Sequence, residues 1–233
     1  MARSIAILVR HGDYQQVPDT PSAHQPYPLN GEGESQAHET AQLLHDMIVG
    51  NEWILESSID SSRMLRAWQT AMIIADRLAG QGTFPLRIDS FDALAERSVG
   101  CLANLTTAEI EAILQQDPRV PDPPADWKAD SHYRLPVQGA ESLLEAGKRV
   151  ATHLVESMAA LPPAGHDRVK IFVGHGGAFR HAACHLGVLK LAQVRQLSMH
   201  HCLPILLEYL PGGDWCHIGG DWKVRTGHTG HTD

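Results

Sequence analysis

Apolar runs mark the predicted strands of this chain. Residues 5–9 (Ile-Ala-Ile-Leu-Val) contain no polar position, and residues 169–173 contain only one, Lys170. Such runs are typical of strands buried on both faces at the centre of a parallel sheet. Shorter or mixed runs predict further strands at 57–61, 85–88 and 203–210, and an edge strand at 215–224.

Apolar residues at helical spacing fill the intervals between these strands. The two clearest series are Ala37, Ala41, Leu44 and Ile48 after the cap Asn30, and Leu65, Trp68, Met72, Ala75 and Leu78 before Gly80. Thr106 and Glu109 form a capping box that opens another helix. Helices are also predicted over 140–161 and 178–186. A length of 233 residues suits one large α/β domain or two small ones.

Two proline-rich stretches interrupt this pattern. Residues 13–30 form a long loop directly after the first strand, and residues 117–137 form an irregular excursion with few apolar anchors. The excursion is either a lid over a binding site or a tolerated insertion. We expect a single domain over 1–225, followed by a disordered tail at 226–233.

Composition narrows the class of protein. A net charge of −8 and a pI of about 6.0 argue against a general nucleic-acid or anionic-membrane binder. No run is long enough to cross a membrane, and the four cysteines show no CxxC spacing. We therefore expect a cytoplasmic protein with reduced thiols. The edge strand at 215–224 could pair with a second copy of the chain to give a homodimer.

Candidate chemistry lies where the two apolar strands end. Arg10-His11-Gly12 follows the first, and Gly174-His175-Gly176-Gly177 follows the other at the start of a helix. Ligands of open α/β sheets bind outside the carboxyl ends of the strands, and helix N-termini favour anions. Arg66, in the first turn of a helix after the 57–61 strand, fits the same kind of site. One such motif could arise by chance, but two strand ends bearing a histidine make that explanation much weaker.

Together these motifs resemble the histidine phosphatase superfamily. The matching segments are Arg10-His11-Gly12, residues 61–67 (Ser-Ser-Arg-Met-Leu-Arg-Ala) with Thr70-Ala71, and 174–177, supported by 28–30 and 139–143. The resemblance runs from residue 5 to about residue 210. It implies the phosphoglycerate mutase-like fold, a three-layer α/β sandwich in which helices flank a mostly parallel central sheet.

The resemblance also implies roles for individual residues. His11 would accept the phosphoryl group as a phosphohistidine. Arg10, Arg66 and His175, with the Gly176 backbone, would surround the phosphoryl oxygens. Glu96 resembles the proton donor and would have to be protonated when the reaction starts. Asp92 is the alternative acid. No metal and no cofactor is required, because the cationic side chains supply the charge.

Two departures from the family pattern bear on function. Ser98-Val99-Gly100 follows the Glu-Arg pair where mutases usually carry a tyrosine, and 117–137 lacks a paired arginine motif. Val17 stands where many relatives place an asparagine that helps to hold phosphate. The sequence thus favours a phosphomonoesterase acting on a small phosphorylated metabolite. A phosphoglycerate mutase-type transferase, a phosphoprotein (phosphohistidine) phosphatase and a non-catalytic phosphate-binding protein are the alternatives.

Overall fold

The computed structural model of the chain describes residues 2–22 and 24–225. The strands are β1 (Ser4–Arg10), β2 (Ile54–Ser62), β3 (Arg87–Phe91), β4 (Arg168–Gly174), β5 (Leu197–Ser198), β6 (Ile205–Tyr209), β7 (Trp215–Gly219) and β8 (Lys223–Val224). The helices are α1 (Gly31–Gly50), α2 (Leu65–Gly80), α3 (Thr107–Gln115), α4 (Leu143–Ala159), α5 (Gly176–His185) and α6 (Leu191–Val194). No helix in this described part of the chain is long and apolar enough to span a membrane. The predicted tail at 226–233 lies outside the described residues.

The central sheet has six strands in the order β3-β2-β4-β1-β6-β7. The four strands from β3 to β1 are parallel, and β6 and β7 run antiparallel at one side. One core joins the sheet to α1 and α2, and a second core joins its other face to α4 and α5. The expected three-layer α/β sandwich is therefore confirmed.

Strand β1 shows why the apolar runs were informative. Its residues Ile5, Ile7 and Val9 belong to the first core and Ala6 and Leu8 to the second, and all are fully buried. Each large aliphatic side chain buried in this way stabilises the fold by about 1.5–3 kcal/mol. Only a strand between two helical layers can use apolar residues at every position.

The helix α2 buries Ala75 and Leu78 as predicted, but not the predicted residues of its N-terminal half. Leu65 and Trp68 are about two-fifths exposed. The buried stripe consists instead of Ala67, Ala71 and Ile74, with further residues down to Leu78. Small residues at the contact allow helices to pack closely, and α1 lies against α2 here. The prediction for the N-terminal half of this face was wrong because it followed the largest side chains.

The structure also differs from the sequence predictions in where one strand ends and one helix begins. The edge strand at 215–224 is broken after Gly219: Gly220 has φ +77°, and a Cβ there would lie 2.1 Å from the Pro204 carbonyl oxygen. The chain then pairs through β8 with β5 rather than with the main sheet. Helix α4 begins at Leu143 because Ser142 and Glu145 form a capping box, and the predicted capping box at Thr106 is confirmed.

Residues 117–137 are anchored more firmly than their composition suggested. Trp127 and Leu135 are buried in a small separate core with Val99, Ile110 and Leu114. The Trp127 indole Nε1 also donates to Glu111 Oε1 at 3.0 Å. The segment has few apolar anchors, as expected, but its two buried apolar side chains are enough to seat it on the rest of the chain.

Candidate active site

Three neighbouring parallel strands deliver the candidate site. Strands β2, β4 and β1 lie side by side and end at Ser62, Gly174 and Arg10. His11 and His175 follow directly, and the His11 backbone N–H donates to the Gly174 carbonyl at 3.0 Å. The sheet order therefore places both histidines at one edge, with ring centroids 5.0 Å apart.

The imidazole of His11 is held in one tautomer. Its Nδ1 lies 2.7 Å from the Gly12 carbonyl oxygen, which can only accept, so the proton sits on Nδ1. The lone pair on Nε2 accepts a hydrogen bond from Arg66 Nε at 3.1 Å. Burial, with help from Arg66 and His175, holds the pKa of His11 well below its usual range. The ring is consequently neutral at pH 7, and Nε2 is the ring nitrogen whose lone pair could attack phosphorus once Arg66 turns its N–H to a phosphoryl oxygen.

The Arg66 guanidinium is fully buried at the start of α2. Its two terminal nitrogens donate to the carbonyl oxygens of Gln25 and Ser22 at 2.9 and 2.8 Å. One of them also lies 3.3 Å from His175 Nδ1. The 13–30 loop thus fixes the plane of this cation between the two histidines. Burial lowers the pKa of Arg66 from its usual value.

The orientation of His175 follows from the same contact. A guanidinium can only donate, so His175 Nδ1 accepts and its Nε2–H donates to Ser62 Oγ at 2.9 Å. Burial lowers the pKa of His175 well below its usual range, and Arg66 and Arg10 lower it further. His175 is therefore a second neutral imidazole in the cluster.

The Arg10 side chain completes the cationic wall. Its Nη1 donates to the Met199 carbonyl at 2.8 Å, and burial lowers its pKa to about 10, so it is charged at pH 7. Gly176 makes room for it, because a Cβ at that position would lie 3.1 Å from Arg10 Cδ. The predicted residues Arg10, His11, Arg66, His175 and Gly176 are all brought together.

The Glu96 carboxyl reaches the same cluster from the loop after β3. Its two oxygens accept from the backbone N–H groups of Arg97 at 2.8 Å and Gly177 at 3.1 Å. The residue is buried, whereas the Asp92 side chain is 82% exposed and pairs with Arg63 at 3.4 Å. Of the two carboxyl groups considered for the acid, only Glu96 lies at the site.

Sequence reasoning missed two residues of the site. Tyr14 places its ring against Arg66 and His11. The His201 Nδ1–H donates to the His11 carbonyl at 2.7 Å, because a carbonyl oxygen can only accept. Burial and Arg10 lower the pKa of His201 to about 4. Tyr14 could have been found from its place three residues after His11. Nothing in the sequence marks His201, which arrives from the loop before β6.

Loops cover the site from two sides. His24 Nε2 lies 3.0 Å from Ser98 Oγ, and the Thr107 backbone N–H donates to the Asp19 carbonyl at 2.8 Å. Arg97 lies over the Trp127 ring at 5.6 Å, which connects the 117–137 segment to the loop that carries Glu96. The arrangement is a buried cluster of positively charged side chains around two neutral imidazoles, with the Glu96 carboxyl group beside it, and it suits transfer of a phosphoryl group.

An α/β fold with a histidine at the end of β1 and arginines around it defines a class of phosphoryl-transfer proteins. Comparison with known families agrees: the family model described as histidine phosphatase superfamily (branch 1) matches residues 6–218. The chain belongs to this superfamily.

Individual relatives are more distant. The chain is 28% identical over 211 residues to a protein named serine/threonine-protein phosphatase Pgam5, mitochondrial, from Drosophila mojavensis, covering 89% of this chain and 59% of the relative. The Drosophila willistoni protein of the same name is also 28% identical, over 212 residues, with the same coverage. The chain spans about three fifths of the length of these curated relatives.

Solved structures show the same fold. A structure titled mycobacterial hydrolase 2 superposes with a TM-score of 0.72 at 23% identity, covering 97% of this chain and 94% of the other. A mycobacterial glucosyl-3-phosphoglycerate phosphatase superposes with a TM-score of 0.69, also at 23% identity, covering 96% and 98%. These likenesses show that the chain shares the fold of those structures.

Proposed function

We propose that this protein is a metal-independent phosphomonoesterase that hydrolyses a small phosphorylated metabolite through a phosphohistidine on His11. The observation that carries the proposal is the state of His11. Its Nδ1 proton is bound to a carbonyl oxygen, and its Nε2 lone pair faces Arg66 inside a buried cationic pocket. A neutral nucleophile there can attack a phosphate dianion whose charge Arg10 and Arg66 offset.

The reaction has two steps. The His11 Nε2 lone pair attacks phosphorus, the P–O ester bond breaks, and Glu96 gives a proton to the leaving alkoxide. Water then attacks the phosphohistidine, Glu96 takes back a proton, and the P–N bond breaks to release inorganic phosphate. Throughout, Arg10, Arg66 and His175 surround the phosphoryl oxygens.

A small substrate is favoured by the loops over the pocket. The contacts of His24 with Ser98 and of Asp19 with Thr107 join the 13–30 loop, which holds Arg66, to the chain after Glu96, and this link favours a small substrate over a protein. The second candidate is a phosphoprotein phosphatase, which the names of the Drosophila relatives favour.

The cytoplasmic location and the homodimer stay predictions. Sedimentation of the pure protein would measure the oligomeric state.

The test uses p-nitrophenyl phosphate with EDTA present, and compares the wild-type protein with His11→Ala. We expect turnover and a phosphorylated histidine in the wild type, detected by mass spectrometry without acid, and neither in the variant. A folded wild-type protein that binds vanadate but shows no turnover and no adduct would overturn the proposal in favour of a binding protein. Sugar phosphates and phosphopeptides, compared by kcat/KM, then separate the two substrate classes.

A further inference from the structure

Tyr14 is the least explained residue of the pocket. Its side chain is only 4% exposed, although it belongs to a proline-rich loop. The centre of its ring lies 4.4 Å from the Arg66 guanidinium carbon, and the Tyr14 and His11 rings meet at an interplanar angle of 86° with their centroids 5.3 Å apart. A backbone bridge to Leu29 holds the residue in place. The ring is therefore fixed against both the nucleophile and its neighbouring cation.

The hydroxyl of Tyr14 is buried and has no hydrogen-bond partner among the residues that the structure describes. Buried polar groups are almost always hydrogen-bonded, and an unpaired one costs free energy. The ring that carries this hydroxyl contacts Arg66 and His11, so the phenol belongs to the same cluster of side chains. Burial raises the pKa of Tyr14, which keeps the hydroxyl protonated and able to donate.

The two histidines have no N–H group left for a ligand. The His11 Nδ1–H donates to the Gly12 carbonyl and the His175 Nε2–H donates to Ser62 Oγ. In the loop that carries Tyr14, the Val17 backbone N–H donates to Gln25 Oε1 at 2.9 Å, and valine has no polar atom in its side chain. The Tyr14 hydroxyl is therefore a neutral donor beside His11 that no hydrogen bond within the described residues occupies.

We propose that Tyr14 is a catalytic residue whose hydroxyl donates a hydrogen bond to a non-bridging oxygen of the phosphoryl group, in the substrate and in the phosphohistidine. The inference rests on the proposed function, because it assigns the phosphoryl group to this pocket. It differs from a structural role, in which the ring alone would support Arg66.

Tyr14→Phe separates the hydroxyl from the ring. Phenylalanine keeps the contacts with Arg66 and His11 and removes only the donor. Since a hydrogen bond to a charged group is worth about 1.5–3 kcal/mol, kcat/KM for p-nitrophenyl phosphate should fall about 10- to 100-fold. The affinity for inorganic phosphate, measured by calorimetry, should fall by at least about 10-fold for the same reason. The melting temperature should not fall, because the unliganded protein loses no hydrogen bond.

Tyr27→Phe is the matched control. It makes the same chemical change in the same loop on a side chain that is 38% exposed, and should leave activity and phosphate affinity unchanged. The inference is overturned if Tyr14→Phe is folded and keeps both its kcat/KM and its phosphate affinity within about 2-fold of wild type, well inside the effect expected of a lost hydrogen bond.

The proposed function fails in a different way. If the wild type shows no turnover, or if His11→Ala retains it, the phosphatase mechanism is wrong whatever Tyr14 does. Phosphate binding still tests the Tyr14 contact in that case: a loss of affinity in Tyr14→Phe supports the contact, and unchanged affinity overturns it.

Discussion

Replacement of Arg66 tests whether the geometry of this cation, or only its charge, supports catalysis. Arg66→Lys keeps the positive charge but replaces a planar guanidinium, which has five N–H donors, with an ammonium group that has three. The native guanidinium uses two nitrogens on the Ser22 and Gln25 carbonyls and faces both His11 and His175. A lysine ammonium cannot satisfy these directions together, so it should settle on the carbonyls and move away from the phosphoryl group.

The expected loss of activity follows from the interactions that each Arg66 variant removes. Removal of an arginine that stabilises a transferring phosphoryl group costs about 10³- to 10⁵-fold in rate, which sets the loss for Arg66→Ala. Arg66→Lys should lose at least about 10²-fold, since one or two hydrogen bonds to a charged group disappear at about 1.5–3 kcal/mol each. Stability should change much less. In Arg66→Ala two carbonyls lose their donor at about 1–3 kcal/mol each, and removal of the buried positive charge offsets part of that cost.

The assay is kcat/KM for p-nitrophenyl phosphate well below the melting temperature, with urea denaturation to measure the free energy of unfolding. Arg63→Ala is the control, because Arg63 lies three residues earlier, is 65% exposed and pairs only weakly with the exposed Asp92. It should retain wild-type activity. The reasoning is refuted if Arg66→Ala stays within about 10-fold of wild type, far below the loss expected for such an arginine. Full activity in Arg66→Lys would show that charge alone is sufficient.

Three further predictions concern Glu96, Gly177 and Asp60. Glu96→Gln should slow the hydrolysis of alkyl phosphates by about 10²- to 10⁴-fold, the usual contribution of a general acid. Hydrolysis of p-nitrophenyl phosphate should slow less, because nitrophenolate leaves without a proton. Equal losses of rate for the two substrates would contradict the acid role. Gly177→Ala should lower kcat but preserve the melting temperature, because its Cβ would lie 2.8 Å from Glu96 Oε1 and push the carboxyl aside; unchanged kinetics would argue against that carboxyl. Asp60→Asn should lower the free energy of unfolding by about 3–5 kcal/mol at pH 7, measured with urea, because Lys170 Nζ lies buried 2.7 Å from Asp60. Burial opposes ionisation, but hydrogen bonds from His153 and Lys170 lower the pKa of Asp60, so its contribution is complete above the ordinary carboxyl pKa of about 4 and is lost as pH falls through the lower native value. The difference between wild type and variant should shrink on acidification, and a constant difference would show that the charge of Asp60 is not responsible.

The sequence determined the framework of the fold and the centre of the site. Residues 5–9 and the 169–173 run had to be buried strands, because only the middle of a layered sheet accepts apolar residues on both faces. The motifs at their ends then had to meet, since parallel strands present their carboxyl ends at one edge. His11, His175 and the nearby arginines were therefore predictable from short stretches of chain.

The tertiary structure alone decided how that site is supported. Arg66 is oriented by carbonyls 41 and 44 positions away in the chain, and His201 reaches the His11 carbonyl from 190 positions away. No local pattern encodes such contacts, because periodicity reports only the surroundings of consecutive residues. For the same reason the sequence showed neither the buried hydroxyl of Tyr14 nor the break at Gly220, where the close approach of the Pro204 carbonyl excludes a side chain.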